Sequence, residues 1–292
     1  MKGIILAGGK GTRLFPLTQV VSKQLLPIYN KPLIYYPLSL LMYANIREVL
    51  FITNPEDTDL FQRFLMDGKQ WGMDFSYAIQ EEPRGLADAF IVGKDFIKDD
   101  SVSLVLGDNI FFGNNLTELV QQASTIKKGA NIFGYQVKDP ERYGVVEFDD
   151  QFHVIGIEEK PLTPKSNYAI PGIYFYDNSV VEKAMALRPS SRNELEITDL
   201  NKLYLAEGNL TLYPMSRGIA WLDAGTFESL LQAGNYVQTI EERQGLLVSS
   251  PEETALRKNF ISHEQFRKLV FDLPNNSYRH SLEQIIRQEH AS

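Results

Sequence analysis

The sequence contains no cysteine. That absence removes disulfides, thiolate metal sites and cysteine nucleophiles together, and it suits a reducing compartment such as the cytoplasm. Positive charge is also scarce: 29 Lys plus Arg stand against 37 Asp plus Glu, a formal net charge of −8. The cations are scattered, so the footprint of a nucleic-acid binder is missing and any phosphate must be held by a local pocket. Long apolar runs are missing too. The longest, PLIYYPLSLLMYA at 32–44, is too short to span a bilayer and carries Pro37, so it reads as a buried helix that is kinked or begins late. The apolar start, Ile4 to Ala7 after Lys2, breaks at Gly8-Gly9-Lys10 short of a signal-peptide core and reads as structural sequence. No repeat, low-complexity tract or flexible linker interrupts the chain.

What is present is ordinary globular material. At 292 residues, 43% hydrophobic and 23% charged, the chain is long enough for one large domain or one domain with an appendage. Apolar runs and breakers predict strands near 2–7, 48–53, 73–79, 102–107 and 130–137, with helical patterns between them. In 85–97, Leu86, Phe90, Gly93 and Ile97 share one helical face. Strands separated by helices imply an α/β fold, with a Rossmann-like, mostly parallel mixed sheet flanked by helices and ligands at the strand carboxyl ends. After about residue 139, GVVEFDD, HVIGIEEK and YAIPGIYFYD read as a small β insertion. Helices come next in NSVVEKAMAL and EITDLNKLYLAEG, then short strands at 210–214 and 218–223. A helix after these places Phe227, Leu230, Leu231, Gly234, Val237 and Ile240 on one face. Beyond about 246 the tail reads as small amphipathic helices that pack on the core or on a neighbouring subunit.

The stretch GIILAGGKGTRL, residues 3–14, breaks after its apolar start into three glycines, Gly8, Gly9 and Gly11, set among Lys10 and Arg13. Bare backbone and two cations suit a loop wrapped around phosphate, although an ordinary strand-to-helix turn has the same look. It matches neither common phosphate fingerprint. The Rossmann pattern would need glycine at Leu14, and the Walker pattern would need Ser or Thr at Gly11. Lys23 and Gln24 stand before a Pro-marked turn, as a site or as a cap region. Asp108, with Asn109 next, ends the strand SLVLGD, a place where a lone Asp often only caps the next turn or helix. Glu158, Glu159 and Lys160 end another strand, where a Glu-Lys pair is often a solvated edge. Gln80 offers both a donor and an acceptor, as pairing with the carbonyl and imide N–H of thymine or uracil requires.

Taken together, LAGGKGTRLFPLT and SKQLLPI resemble the signature of sugar-1-phosphate nucleotidylyltransferases. LVLGDNIFFG, GYQVKDPERYGVVEF, EEKP, GIYFYD, ELEITD, WLDAGT and VQTIEERQG then come in the order found in short-chain, thymidylyl-transferring members. The similarity runs from residue 2 to about 247 and is weaker in the tail. It implies a catalytic domain over 1–245, with its sugar-binding part at about 140–225, and a C-terminal helical extension over 246–292. By the same resemblance Leu6, Ala7, Gly8, Gly9, Gly11 and Thr12 wrap the triphosphate, Arg13, Lys23 and Gln24 meet it, and Gln80, Pro83 and Gly85 receive the base. Asp108 and Asp223 would bind Mg2+, a hard ion suited to oxygen ligands. Tyr143, Gly144 and Glu159 would bind the sugar, Lys160 its phosphate, and Ile170 and Tyr174 would form a wall. Phe175 and Tyr176 read as core.

The implied reaction joins dTTP and glucose 1-phosphate into dTDP-glucose and pyrophosphate, the first step towards dTDP-rhamnose and related deoxysugars. The implied protein is a cytoplasmic homo-oligomer, often a tetramer, without nucleic-acid or membrane partners, and open to feedback by dTDP-rhamnose. No general base is needed, because a phosphate monoester with a second pKa near 6 is already mostly dianionic at neutral pH. Arg13, Lys23, Asp108, Lys160 and Asp223 are the expected catalytic set. Glu81, Glu82, Arg84 and Asp88 add more charge than the family pattern leads one to expect, and Pro171 stands where threonine is frequent; these departures bear on fine selectivity rather than on the reaction. The rival readings are the same chemistry with UTP or an amino-sugar phosphate, a non-catalytic nucleotide-sugar sensor, and a glycosyltransferase. The last would be expected to carry an Asp-x-Asp metal motif where LGDNIFF offers one aspartate.

Overall fold

The computed structural model describes residues 1–9 and 11–289. In chain order the strands are β1 (Lys2–Leu6), the hairpin β2 (Pro27–Ile28) and β3 (Lys31–Pro32), β4 (Glu48–Thr53), β5 (Asp74–Ile79), β6 (Val102–Leu106) and β7 (Asn109–Gly113). Next come β8 (Ala130–Gln136), β9 (Gly144–Phe148), β10 (Val154–Glu159), β11 (Tyr168–Ala169), β12 (Ile173–Tyr176), β13 (Leu210–Pro214) and β14 (Ile219–Asp223). The large sheet runs β10-β9-β11-β8-β12-β6-β1-β4-β5, with β13 joined to β8. β1 lies parallel between β4 and β6, and β5 extends that parallel half. β12 then enters antiparallel between β6 and β8, while β13 runs parallel to β8.

β1 and β4 are buried on both faces, which is why each reads as an almost unbroken apolar run. Their side chains alternate between two cores. Ile5, Val49 and Phe51 belong to one, and Ile4, Leu6, Leu50 and Ile52 to the other. Phe175 and Tyr176 are both fully buried in these cores. The tail forms helices Pro251–Arg257, His263–Asp272 and Ser277–Glu289, whose Leu256, Phe266, Val270 and Leu282 join the first core within the same chain.

Three departures from the sequence reading, and the late helix start that it allowed for, have local causes. The helical pattern at 85–97 is two short helices, Asp88–Val92 and Lys94–Ile97. They meet at Gly93, where a Cβ would lie 3.0 Å from Ile4 Cδ1. The apolar run at 32–44 starts its helix late, at Tyr35, so Pro37 sits in the first turn, where its missing N–H breaks no helical bond. YAIPGIYFYD divides into β11 and β12 at Pro171-Gly172, where proline offers no N–H to a ladder and a Cβ on Gly172 would fall 2.6 Å from Leu106. The buried line of helix Phe227–Gln244 is Ala233, Val237 and Glu241, leaving Phe227 and Leu231 exposed. Glu241 takes the inner face because Lys31, Asn30 and the Val248 N–H all donate to its carboxylate, at 2.6, 2.6 and 2.8 Å.

The carboxyl ends of β1, β4 and β6 point their loops to one place. β6 ends at Leu106, the chain turns at Gly107-Asp108, and β7 departs to pair with β14 in a separate antiparallel ribbon. The NIFFG strand was not among those expected from sequence. Its register sets Asp223 opposite Asn109 and so beside Asp108.

Candidate active site

The glycine loop after β1 takes conformations that side chains resist: φ is +106° at Gly9 and +56° at Gly11. Asn54, just after β4, grips Gly9 from both sides, accepting from its N–H at 2.8 Å and donating to its carbonyl at 3.2 Å. Thr18 donates to the Gly11 carbonyl at 2.9 Å, and a Cβ on Gly11 would meet Thr18 Cγ2 at 2.7 Å. Arg13 stays exposed on a single helical turn, Thr12–Leu14, anchored by fully buried Leu14. Gly8, Gly9, Gly11, Thr12, Arg13, Lys23 and Gln24 line a cavity of about 290 Å³ that also includes Asp108 and Asp223. Lys10 lies outside the described residues.

The two carboxylates are held by separate devices. Asp108 accepts from Asn109 Nδ2 at 2.7 Å and forms an ion pair with Lys23. Asn109 in turn accepts from the Gly172 N–H at 3.1 Å and from Trp221 Nε1 at 2.7 Å, tying β7, β12 and β14 to the Asp108 turn. The Asp108 carbonyl accepts from the Ala224 N–H at 3.1 Å, which pins the chain beside Asp223. Burial pushes the Asp223 pKa up, and the Asp108 charge adds to the rise; Arg142 and Lys23 offset part of it. Two hard oxygen ligands that repel each other suit a divalent cation such as Mg2+, which would relieve that repulsion. Among the described residues no cluster of three or more His, Cys, Asp or Glu could hold a metal. Further ligands would therefore come from phosphate oxygens or water, the usual habit of Mg2+.

A second cavity, of about 300 Å³, shares Asp108 and Asp223 with the first. Tyr143, Gly144, Glu159, Lys160, Ile170 and Tyr174 line it, together with Arg142, Arg192, Thr198 and Trp221. Glu159 accepts from Thr198 Oγ1 at 2.6 Å and from Arg192 at 3.3 Å, and Lys160 lies 3.6 Å from it. Its neighbour Glu158 is exposed, as strand alternation requires. Glu196 holds the Arg192 guanidinium through two bonds, at 3.1 and 2.8 Å, so the cation is aimed before any ligand arrives. A Cβ on Gly144 would crowd Glu159 and Thr198, each at 3.2 Å.

Five expected nucleotide residues line neither cavity. Leu6 and Ala7 are buried beneath the glycine loop, with the Ala7 N–H bonded to the Ile52 carbonyl at 2.8 Å. Gln80, Pro83 and Gly85 lie on the adjoining segment after β5. Gly85 has φ +101°, and a Cβ there would fall 2.5 Å from the Leu195 carbonyl oxygen. This contact belongs to a bridge in which Leu195 N–H donates to the Arg84 carbonyl at 2.7 Å and Ala87 N–H to the Leu195 carbonyl at 3.1 Å. Gly85→Ala is expected to open the bridge and to cost about 2 kcal/mol or more. Urea unfolding checks that, and a rise in nucleotide KM should accompany it.

Sequence reasoning missed Asn54, Arg142, Arg192, Thr198 and Trp221, and it noted Asn109 only as a neighbour. WLDAGT and ERYG already held two of these residues, Trp221 and Arg142, beside expected ones. Asn54 and Arg192 had no local signal, since their partners Gly9 and Glu159 are distant in sequence.

The nucleotidyl transferase family model matches residues 2–240, most of the chain. The chain belongs to the nucleotidyl transferase family. This nucleotidyl transferase is 53% identical to the glucose-1-phosphate thymidylyltransferase of Neisseria meningitidis, over 99% of this chain and 100% of the relative. It is 52% identical to that of Mycobacterium tuberculosis, over 98% and 99% of the two chains. A solved Bacillus anthracis structure, described as a putative glucose-1-phosphate thymidylyltransferase in complex with a sucrose, superposes with a TM-score of 0.75 at 42% identity, covering 81% of this chain and 94% of that one. A UDP-glucose pyrophosphorylase shares the fold at 24% identity, with a TM-score of 0.70 and coverage of 82% and 98%. Among the described residues, no helix of this nucleotidyl transferase is long and apolar enough to cross a membrane.

Proposed function

We propose that this chain transfers the thymidylyl group of dTTP to α-D-glucose 1-phosphate, giving dTDP-glucose and pyrophosphate. The observation that carries the reading is that a glycine-and-cation cavity and a carboxylate-and-tyrosine cavity meet at one pair of aspartates. Thymidylyltransferase relatives at about half identity over nearly the whole chain support the choice of substrates.

In this reading the glycine-loop N–H groups and Arg13 hold the triphosphate while Lys23, which lines the same cavity, completes the positive wall. Arg192 and Lys160 hold the phosphate of the acceptor, and Glu159 takes sugar hydroxyls. Tyr174, buried between sheet and cavity, gives the ring an apolar floor. An acceptor phosphate oxygen attacks the α-phosphorus, the α–β bridging bond breaks, and pyrophosphate leaves with the electron pair. No residue need remove a proton from the nucleophile. The protein's task is to bring two polyanions together and to stabilise charge on the transferring group. Mg2+ held by Asp108 and Asp223 would supply part of that charge stabilisation.

The reading extends to a homotetramer, a cytoplasmic location, and a product that feeds dTDP-rhamnose synthesis with feedback by its end product. Light scattering at two protein concentrations tests the tetramer. The reaction is tested by pyrophosphate release across a panel of dTTP, UTP, glucose 1-phosphate and glucosamine 1-phosphate. The dTTP and glucose 1-phosphate pair should lead, and chelator should abolish turnover. Nucleotide-induced stabilisation without pyrophosphate would instead mark a sensor.

A further inference from the structure

Gln80 and Asp88 form a buried pair beside the glycine-loop cavity. Gln80 is 7% exposed and Asp88 is fully buried. Gln80 Nε2 donates to Asp88 Oδ2 at 2.7 Å. Arg84, itself largely exposed, reaches the other Asp88 oxygen as an ion pair at 2.8 Å, off the axis of a hydrogen bond. Two of the charges that depart from the family pattern, Arg84 and Asp88, are therefore partners of each other. The Gln80 carbonyl is turned towards the loop: Oε1 lies 3.5 Å from where a Cβ on Gly8 would be, and Gly8 lines the glycine-loop cavity.

An amide can turn either face to a ligand, and its two orientations offer opposite chemistry. A carboxylate partner removes the choice, because it only accepts and so the NH2 group must face it. We propose that Asp88 is a positioning residue that sets base selectivity, by locking Gln80 with its carbonyl oxygen turned towards the nucleotide. That oxygen accepts from a base whose ring nitrogen carries a proton, as N3 of thymine and uracil does. It repels cytosine, whose N3 is itself an acceptor. The inference rests on the nucleotidylyltransferase reading of this site and adds the device that decides which pyrimidine is admitted.

The test compares the intact enzyme with Asp88→Asn and Asp88→Ser, measuring kcat and KM for dTTP, dUTP and dCTP at saturating glucose 1-phosphate. In Asp88→Asn the introduced side chain offers its own NH2 to the Gln80 carbonyl, which frees the glutamine amide to turn its donors to the base. The dTTP-over-dCTP preference in kcat/KM should fall on the order of 10-fold or more, the scale of one misdirected hydrogen bond. The change should sit in nucleotide KM, with kcat and the KM for glucose 1-phosphate nearly unchanged. Asp88→Ser, with no fixed partner for the amide, should fall between. An equal loss of kcat with every nucleotide, or an unchanged preference in folded variants, would overturn the proposal. A measurement on the unaltered enzyme runs beside these: 3-methyl-dTTP, which lacks the imide proton, should be used far less well than dTTP, and equal use would also overturn it. Failure to make dTDP-glucose at all would count against the reaction; the Asp88 inference would then be read from the same nucleotides by thermal shift, where stabilisation by dTTP over dCTP should be lost in Asp88→Asn.

Discussion

Asp108→Asn should lower turnover on the order of 100- to 1000-fold, the usual effect of removing one preorganised charge partner at a phosphoryl-transfer centre. The two cavities share this side chain, so under the proposed reaction the loss would act on both substrates at once. The substitution is nearly isosteric, and Asn109 Nδ2 can still donate to the retained carbonyl oxygen as it now does to Oδ1. Lys23 loses its anionic partner and gains freedom to bind phosphate, so dTTP affinity without metal should hold or rise. Steady-state pyrophosphate release, read beside a melting curve, separates lost chemistry from lost fold. Near-normal turnover would remove Asp108 from the centre.

Asp223→Asn should cost turnover on the same order of magnitude, yet it should stabilise the metal-free protein. The Asp223 pKa is raised by burial first and by the Asp108 charge second. An acid whose folded pKa lies above its unfolded value destabilises the fold above that folded value, where both states are ionised. As pH falls through the raised folded value, the native carboxyl binds its proton first and the cost disappears by the unfolded pKa. Asp223→Asn should therefore melt above the parent by about 2 °C or more at pH 7, with the gap closing in that acidic window. Adding Mg2+ should raise the melting temperature of the parent and leave Asp223→Asn almost unmoved. A variant that melts lower at neutral pH would contradict the electrostatic account of this pair.

Much of the parallel half of the sheet was legible because β1, β4 and β6 are covered on both faces, and that burial writes itself into the sequence as unbroken apolar runs. The aspartates and glycines were legible as motifs, since backbone conformation at Gly9 and Gly11 dictates residue type locally. Features that depend on partners far along the chain could not be read. Asn109 resembles any amide after an aspartate until Gly172 and Trp221 are seen to donate to it. The buried face of helix Phe227–Gln244 contains Glu241, which no hydrophobic pattern would place inside, because its partners Asn30 and Lys31 lie far earlier in the chain. The charge on Asp88 looked like a departure bearing on selectivity, and its partner Gln80, eight residues earlier, is seen only in the structure.

A crystal structure of the protein with dTDP-glucose and Mg2+ would probe the shared aspartate pair without any substitution. The diphosphate should lie between Arg13 and the Asp108–Asp223 pair, the glucose against Glu159 and Tyr174, the thymine imide on Gln80 Oε1, and the ion on the two aspartates. A nucleotide sugar bound elsewhere, or a diphosphate out of reach of both aspartates, would refute the shared centre.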